Sequence, residues 1–295
     1  MQKHLSLFQP EEEPSLDDVL RAHPNNRAEI IVGDARKVLA DFPEQHFQTV
    51  VTSPPYWGLR DYGIEGQIGA EMKVTDYIAD LVKLFREVRR TLRDDGTLWL
   101  NIGDSFTSGG RTWRDADEKN KGRAMSYRAP TPDGLKPKDL IGVPWRLAFA
   151  LQDDGWYLRT DIIWNKPNCQ PESVKDRPTR SHEYVFLFSK SERYHFDRDA
   201  IMEPAADKTQ KAKNRRTVWN INTEPYPGSH FAVYPRALVR LCVLAGSRPD
   251  DRVLDPFFGS GTTGVVCNEL GRDCTGIELS EDYAQLARER LLKGR

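Results

Sequence analysis

The sequence is poor in cysteine, has no long apolar run and carries no excess of either charge. Its four cysteines, Cys169, Cys242, Cys267 and Cys274, form no C-x-x-C pair and have no histidine at zinc spacing. Neither a disulfide scaffold nor a zinc module is expected, and no metal is called for. No stretch approaches the roughly 18 uncharged apolar residues of a membrane span, so no membrane partner is expected. The opening MQKHLSLFQPEEEPSLDD turns acidic without an apolar core, unlike a secretory leader, and a cytoplasmic protein is the expectation. Lys and Arg total 43 against 44 Asp and Glu, a net charge of −1. The chain as a whole therefore has no pull on a polyanion, and any nucleic-acid affinity must come from local basic segments.

What is present suits a globular α/β protein: 38% hydrophobic and 29% charged residues in a chain of 295, enough for one large domain or two modest ones. Residues 1–27 read as a polar N-terminal arm. An apolar run at 28–32 ends in Gly33-Asp34, as a buried strand delivering a carboxylate at its tip. A helical pattern at 36–42 precedes a strand at 48–52, which runs into Ser53-Pro54-Pro55-Tyr56. An apolar stripe from Tyr77 to Leu92 predicts a helix over 75–92, stopped by Asp94-Asp95-Gly96 before a strand at 97–102. Further on, helices are predicted at 144–151, 235–245, 261–270 and 281–292. Strands are predicted at 156–164, 182–188, 194–197, 217–221, 252–255 and 273–279. Alternating strands and helices indicate a mostly parallel sheet with helices on both faces. Two stretches break the pattern. Residues 105–138 carry eight Lys and Arg, Arg111, Arg114 and Arg123 among them, against four acidic residues. Residues 205–216 hold a second basic run, including Lys211, Lys213, Arg215 and Arg216. A long basic loop inside a domain is usually functional or disordered.

Residues 252–264 read RVLDPFFGSGTTG. Gly259, Gly261 and Gly264 satisfy G-x-G-x-x-G between a predicted strand and helix, and Glu278 ends the next strand 19 residues after Gly259. That is a Rossmann-type fingerprint with its ribose-binding acid. A dinucleotide fits poorly, because Asp255-Pro256-Phe257 puts a carboxylate and a ring where a pyrophosphate would lie. A cofactor with a cationic ammonium and no phosphate suits the carboxylate, and S-adenosylmethionine is such a molecule. The plain alternative is a glycine-rich turn with no ligand, against which the placement of Glu278 argues.

Ser53-Pro54-Pro55-Tyr56-Trp57 follows a strand that should end at the rim of the same sheet, where ligands of open α/β sheets bind. Two prolines remove backbone donors and leave carbonyls that only accept. Beside a serine hydroxyl and flat aromatic faces, such a turn can grip the exocyclic amine of a planar base. Holding both amine hydrogens pulls nitrogen toward sp³ character, so that its lone pair can attack a methyl group. A base in a duplex reaches such a pocket only by flipping out. Trp57 either widens the stacking surface or packs in the core.

The pair TSPPYW and DPFFGSGTTG resembles the DNA methyltransferases that modify cytosine N4 or adenine N6. Because the catalytic motif precedes the cofactor motif, the chain is similar to their circularly permuted β group. Segments 31–34, 161–167, 182–190 and 230–245 also resemble pieces of that family, so the likeness spans about 28–292. It implies a Rossmann-like S-adenosylmethionine-dependent fold with irregular DNA-recognition insertions. It divides the chain into a catalytic half (28–104), a DNA-contacting insertion (105–138), a continuation of the sheet (139–200), a short target-recognition segment (201–229) and a cofactor-binding half (230–295). It implies that Ser53 and the Pro54 carbonyl hold the amine, with Pro55 stiffening the turn and Tyr56 stacking on the base. Asp34 would contact the cofactor adenine. Asp255, Phe257, Gly259, Gly261 and Thr262 would line the cofactor, and Glu278 would hold its ribose. Serine at the head of the motif is commoner in cytosine-N4 enzymes, where many adenine enzymes have aspartate, so cytosine N4 is expected and adenine N6 is the alternative. Implied partners are double-stranded DNA, a homodimer mate and a cognate restriction endonuclease, in a bacterial or phage setting. Competing classes are a protein-amide or small-amine methyltransferase, a DNA binder without turnover and, more distantly, a nicotinamide dehydrogenase. His182 and Glu183, within an apolar strand, read as structural.

Overall fold

The strands at the centre of the protein are apolar at both parities, which demands cover on both faces of the sheet. In β2 (Phe47–Thr52), β3 (Leu92–Ile102) and β5 (His182–Ser189), Val50, Leu98, Leu100, Phe186 and Phe188 join one buried cluster. Their neighbours Val51, Trp99, Val185 and Leu187 join a second cluster on the opposite face. Each fully buried side chain of this size stabilises the fold by about 1.5–3 kcal/mol over an exposed one. The first cluster is closed by α2 (Val74–Thr91), through Tyr77, Leu81, Phe85 and Val88, and by α3 (Val143–Asp153). The second is closed by α4 (Arg236–Gly246), α5 (Thr262–Leu270) and α6 (Glu281–Lys293). A short α1 (Ala35–Val38) follows β1 (Ala28–Val32), capped by the Asp34 side chain. The computed structural model describes residues 20, 23, 26–59, 64–107, 130–205, 212–224 and 234–294.

Eight described strands form one sheet in the order β1-β8-β7-β2-β3-β5-β4-β6, completed by β4 (Tyr157–Asn165), β6 (Val218–Asn220), β7 (Arg252–Asp255) and β8 (Asp273–Glu278). Only β5 runs against its neighbours; every other pairing is parallel. The architecture is the expected three-layer, mostly parallel α/β fold. Its order explains how a glycine loop late in the chain can work: β7 and β8 insert between β1 and β2. The strand feeding Ser53 and the strand feeding the glycine loop are direct neighbours, with Val50 opposite Leu254.

Predicted and observed elements agree in kind nearly throughout, with two corrections. Asp94-Asp95-Gly96 does not separate α2 from β3 but bulges within β3. Leu92 faces Phe47 while Thr97 faces Thr49, and the Gln48 amide bonds Asp95 across the excursion. Residues 194–197 form no strand, because their amides bond single carbonyls in two different places: His195 to Asp95 and Asp197 to Ala245.

Candidate active site

Because all the parallel strands point one way, their carboxyl ends share one rim. A cavity of about 750 Å³ opens there, walled by the ends of β1, β2, β4, β7 and β8 and the start of β5. The glycine loop forms one side. Gly259 and Gly261 have φ of +53° and +79°, left-handed values that favour glycine. The tight turn aims the Gly259 amide at Glu278 Oε2 (2.7 Å), while Ser280 N–H reaches Oε1 (2.9 Å). Glu278 is thus fixed at the cavity wall with acceptor capacity left on both oxygens. Burial pushes its carboxyl above the usual range, against the pull of those two amides. Phe257, Gly259 and Thr262 line the cavity, and Gly261 does not. Gly261 serves packing instead: a Cβ there would lie 3.0 Å from that of Ala287.

Asp255 departs from expectation. It is wholly buried and lies outside the cavity wall. Oδ1 accepts from Thr52 Oγ1 (2.7 Å) and Phe257 N (3.1 Å), and Oδ2 from Tyr234 OH (2.8 Å) and Thr263 Oγ1 (2.6 Å). A carboxylate satisfied by four donors has no direct business with a ligand ammonium. Burial raises its pKa even against those donors. Through Thr52 it ties the glycine loop to the residue before Ser53. Asp34 does line the cavity, but both its oxygens already bind Arg36, at 2.7 to 3.1 Å. Burial works to raise its pKa, and the Arg36 bonds outweigh it and hold the carboxyl low.

Across the cavity stand Ser53, Pro54, Pro55 and Tyr56, all four in its wall. The Pro55 carbonyl is committed to the fold, accepting from Tyr77 OH at 2.8 Å. Tyr56 rests against Gly103, where a Cβ would come within 2.6 Å of ring carbon Cε2. Its hydroxyl donates to Glu183 Oε2 (2.7 Å), and burial, then the Glu183 charge, drives its pKa well above that of an ordinary phenol. Trp57 belongs to the core, its indole N–H bonded to the Glu71 carbonyl.

Glu183, read from the sequence as structural, stands in the cavity wall. Besides Tyr56, it accepts from Asn101 Nδ2 (3.2 Å) and pairs with Lys166 Nζ. The ammonium of Lys166 also sits 4.5 Å from the centre of the Trp164 ring. The available signal was polar residues in otherwise apolar strands, Asn101 in 97–102 and Glu183 in 182–188. His182, beside it, packs edge-on against Tyr184.

Of the predicted DNA-contacting residues, Arg111, Arg114, Arg123 and Lys211 lie outside the described residues. Lys213, Arg215 and Arg216 are described and do not reach the cavity. They enter β6 from its amino end, whereas its carboxyl end leads to the cavity residues Thr223 and Glu224. Arg216 binds Glu203 (2.8 Å), Lys213 pairs with the same carboxylate (3.5 Å), and Arg215 donates to the Ile201 carbonyl (2.8 Å). Among the described residues no cluster of His, Cys, Asp or Glu could hold a metal, and no helix is long and apolar enough to cross a membrane.

A parallel α/β sheet whose rim joins a glycine loop and its acid to a Ser-Pro-Pro-Tyr turn defines a class, the amino-methylating DNA methyltransferases. Residues 47–289 match the N6/N4 family described as DNA methylase, and the chain belongs to it. It is 72% identical to the Type II methyltransferase M.SmaI of Serratia marcescens over all of both chains. It is 56% identical to the Type II methyltransferase M.Cfr9I of Citrobacter freundii, over 94% of this chain and 92% of that one. A Thermus thermophilus protein solved in complex with S-adenosyl-L-methionine shares 28% identity at a TM-score of 0.62, over 90% of this chain and 94% of that one. PvuII DNA methyltransferase, a cytosine-N4-specific enzyme, shares the fold at 20% identity and a TM-score of 0.66, over 91% and 94%.

Proposed function

We propose that this protein is a Type II DNA methyltransferase that transfers a methyl group from S-adenosylmethionine to N4 of a flipped-out cytosine. The observation that carries the reading is the meeting of the Ser53–Tyr56 turn and the Glu278 loop in one cavity, on neighbouring strands tied by the Thr52–Asp255 bond. S-adenosylmethionine, when bound, supplies an activated methyl group. The residues present fit it: Glu278 keeps acceptor capacity for a ribose diol, Phe257 offers a flat wall, and Gly259 leaves the backbone approachable. Asp34 adds a low-pKa carboxylate at the β1 end of the same wall. Asp255 shapes the loop rather than touching the ligand.

On the other side, Ser53 and the Pro54 carbonyl accept from the amine and Tyr56 carries the ring of the base. Acceptors fixed in advance cost no reorganisation when charge develops on nitrogen. Serine in place of aspartate supports cytosine over adenine. Residues 28–104 and 139–200 then serve the base, and 230–295 serve the cofactor with help from β1. Double-stranded DNA would be held by 105–138, whose flanks are pinned near the rim by Thr107–Asp139 and Ile141–Ser105 backbone bonds. Arg111, Arg114 and Arg123 belong to this insertion.

The test is nucleoside mass spectrometry of unmethylated DNA incubated with the protein and methyl-labelled S-adenosylmethionine. Label in N4-methylcytosine is expected. Label in N6-methyladenine would reverse the base, and no label on several templates would favour an amide or small-amine substrate or a binder without turnover.

A further inference from the structure

A base gripped by its amine still has to be recognised along the rest of its edge. With N4 taken by Ser53 and Pro54, the remaining Watson–Crick edge of cytosine carries only acceptors, N3 and O2. The site must then offer a donor, placed where that edge falls. The Ser53 hydroxyl interacts with that of Tyr56, so a base whose amine is held at Ser53 turns its Watson–Crick edge toward the phenol hydroxyl. That hydroxyl donates to Glu183 Oε2 (2.7 Å), and the other oxygen of the same carboxylate holds Lys166 Nζ.

The candidates for the donor are few. Asn101 Nδ2 is spent on Glu183 and on the Tyr184 carbonyl (3.1 Å). Arg180, another cation of the cavity wall, has Nε and Nη2 without a hydrogen-bond partner, but both are closed off from solvent and so from the open cavity, and Nη1 faces Asp104 at 4.0 Å. Lys166 is different. Its ammonium has three donors, of which Glu183 takes one, and the residue lines the cavity. Glu183 fixes it from one side and the Trp164 face from another, so it is held like a fixture rather than a free surface lysine. The pair is neutral in sum, which suits a cavity that also receives a sulfonium.

We propose that Lys166 is a base-reading residue that donates to the N3 and O2 edge of the flipped cytosine. Glu183 is the positioning residue that sets Lys166 and Tyr56 in register with each other. The assignment rests on the cytosine reading above and extends it to the residues that choose the base.

The experiment starts with the wild-type labelling assay, which identifies the modified base and its site. No label in DNA, or label in adenine, overturns the functional reading and this assignment with it. Given N4-methylcytosine, duplexes are made with cytosine, 3-deazacytosine or 2-thiocytosine at the target, and kcat/KM is measured for wild type and Lys166→Met. On cytosine the variant should lose about 10- to 100-fold, the usual weight of a base contact, while S-adenosylmethionine affinity stays within about twofold. On the analogue lacking the acceptor that Lys166 uses, wild type should fall by a similar factor and Lys166→Met no further. Losses that multiply on both analogues, or a variant as active as wild type, overturn the assignment with the functional reading intact. If Lys166→Met fails to bind cofactor, Lys166→Gln takes its place. Glu183→Gln should narrow the preference for cytosine over its analogue; an equal drop on all three substrates would leave it a structural role only.

Discussion

The two walls of the cavity are built in different ways. The proposed cofactor wall comes mainly from one stretch, 256–283, with Asp34 added from β1, and its polar geometry is made largely by backbone: the Gly259 and Ser280 amides orient Glu278, and left-handed glycines shape the loop. The base wall is drawn from residues far apart in sequence, Tyr56, Asn101, Lys166 and Glu183, and its polar geometry is side chain to side chain. A wall made of backbone tolerates substitution only where the chain path survives. A wall made of side chains can be retuned residue by residue, which suits the base-reading role proposed for it.

That contrast can be broken most violently at its hinge, Asp255. Asp255→Ala leaves three hydroxyls and an amide without their acceptor in a dry interior, and should cost about 3 kcal/mol or more of stability. Urea denaturation reads the loss, and both cofactor and DNA functions should suffer together. Tyr56→Ala should strike one wall only. Methyl transfer should fall about 10- to 100-fold, the value of one stacked base, with cofactor affinity within about twofold by calorimetry. Equal loss of both would refute the stacking role. Glu278→Gln should do the reverse, weakening S-adenosylmethionine binding about tenfold with kcat at saturation little changed.

The same residue predicts a pH effect. Ionised Glu278 is the better acceptor, and burial raises its pKa. Cofactor affinity should therefore be flat at neutral pH and fall as pH drops through a value above the ordinary 4.5, a step that Glu278→Gln abolishes. Stability runs the other way. A carboxyl whose folded pKa is raised favours the fold while neutral, and that contribution is lost as pH rises from the unfolded value through the folded one. The smallest effect is expected from Lys213→Ala with Arg216→Ala. Both side chains are engaged by Glu203 away from the cavity, so the slope of log K for DNA against log salt should not change. Removing Arg111, Arg114 and Arg123 should lower it by up to about 0.9 per lost phosphate contact.

The cofactor wall was legible in the sequence because its devices are local: glycines at fixed spacing, an acid one strand on, a strand before and a helix after. The turn at Ser53 was legible for the same reason. Asp255 was misread, since a motif gives a residue's place in the chain but not the side to which its carboxylate turns. Glu183 was read as structural because its partners, 17, 82 and 127 residues away, meet only when β2, β3, β4 and β5 come together in the sheet. Gly103 carried no signal at all, as its value lies in the space it leaves for the Tyr56 ring. The basic run at 213–216 looked like free charge, and a single glutamate ten residues upstream of it, Glu203, takes up two of its three cations.

The strand order has a consequence for how the protein is made. β1 and β2 leave the ribosome first, yet the strands that belong between them, β7 and β8, come last of the eight. Thr52 waits 203 residues for Asp255. Until then the inner edges of β1 and β2 stay unpaired, and pairings of such separation form slowly. A nascent chain already holds the whole base wall and none of the glycine loop. The two sides of the cavity therefore meet only once β7 and β8 have taken their places between β1 and β2.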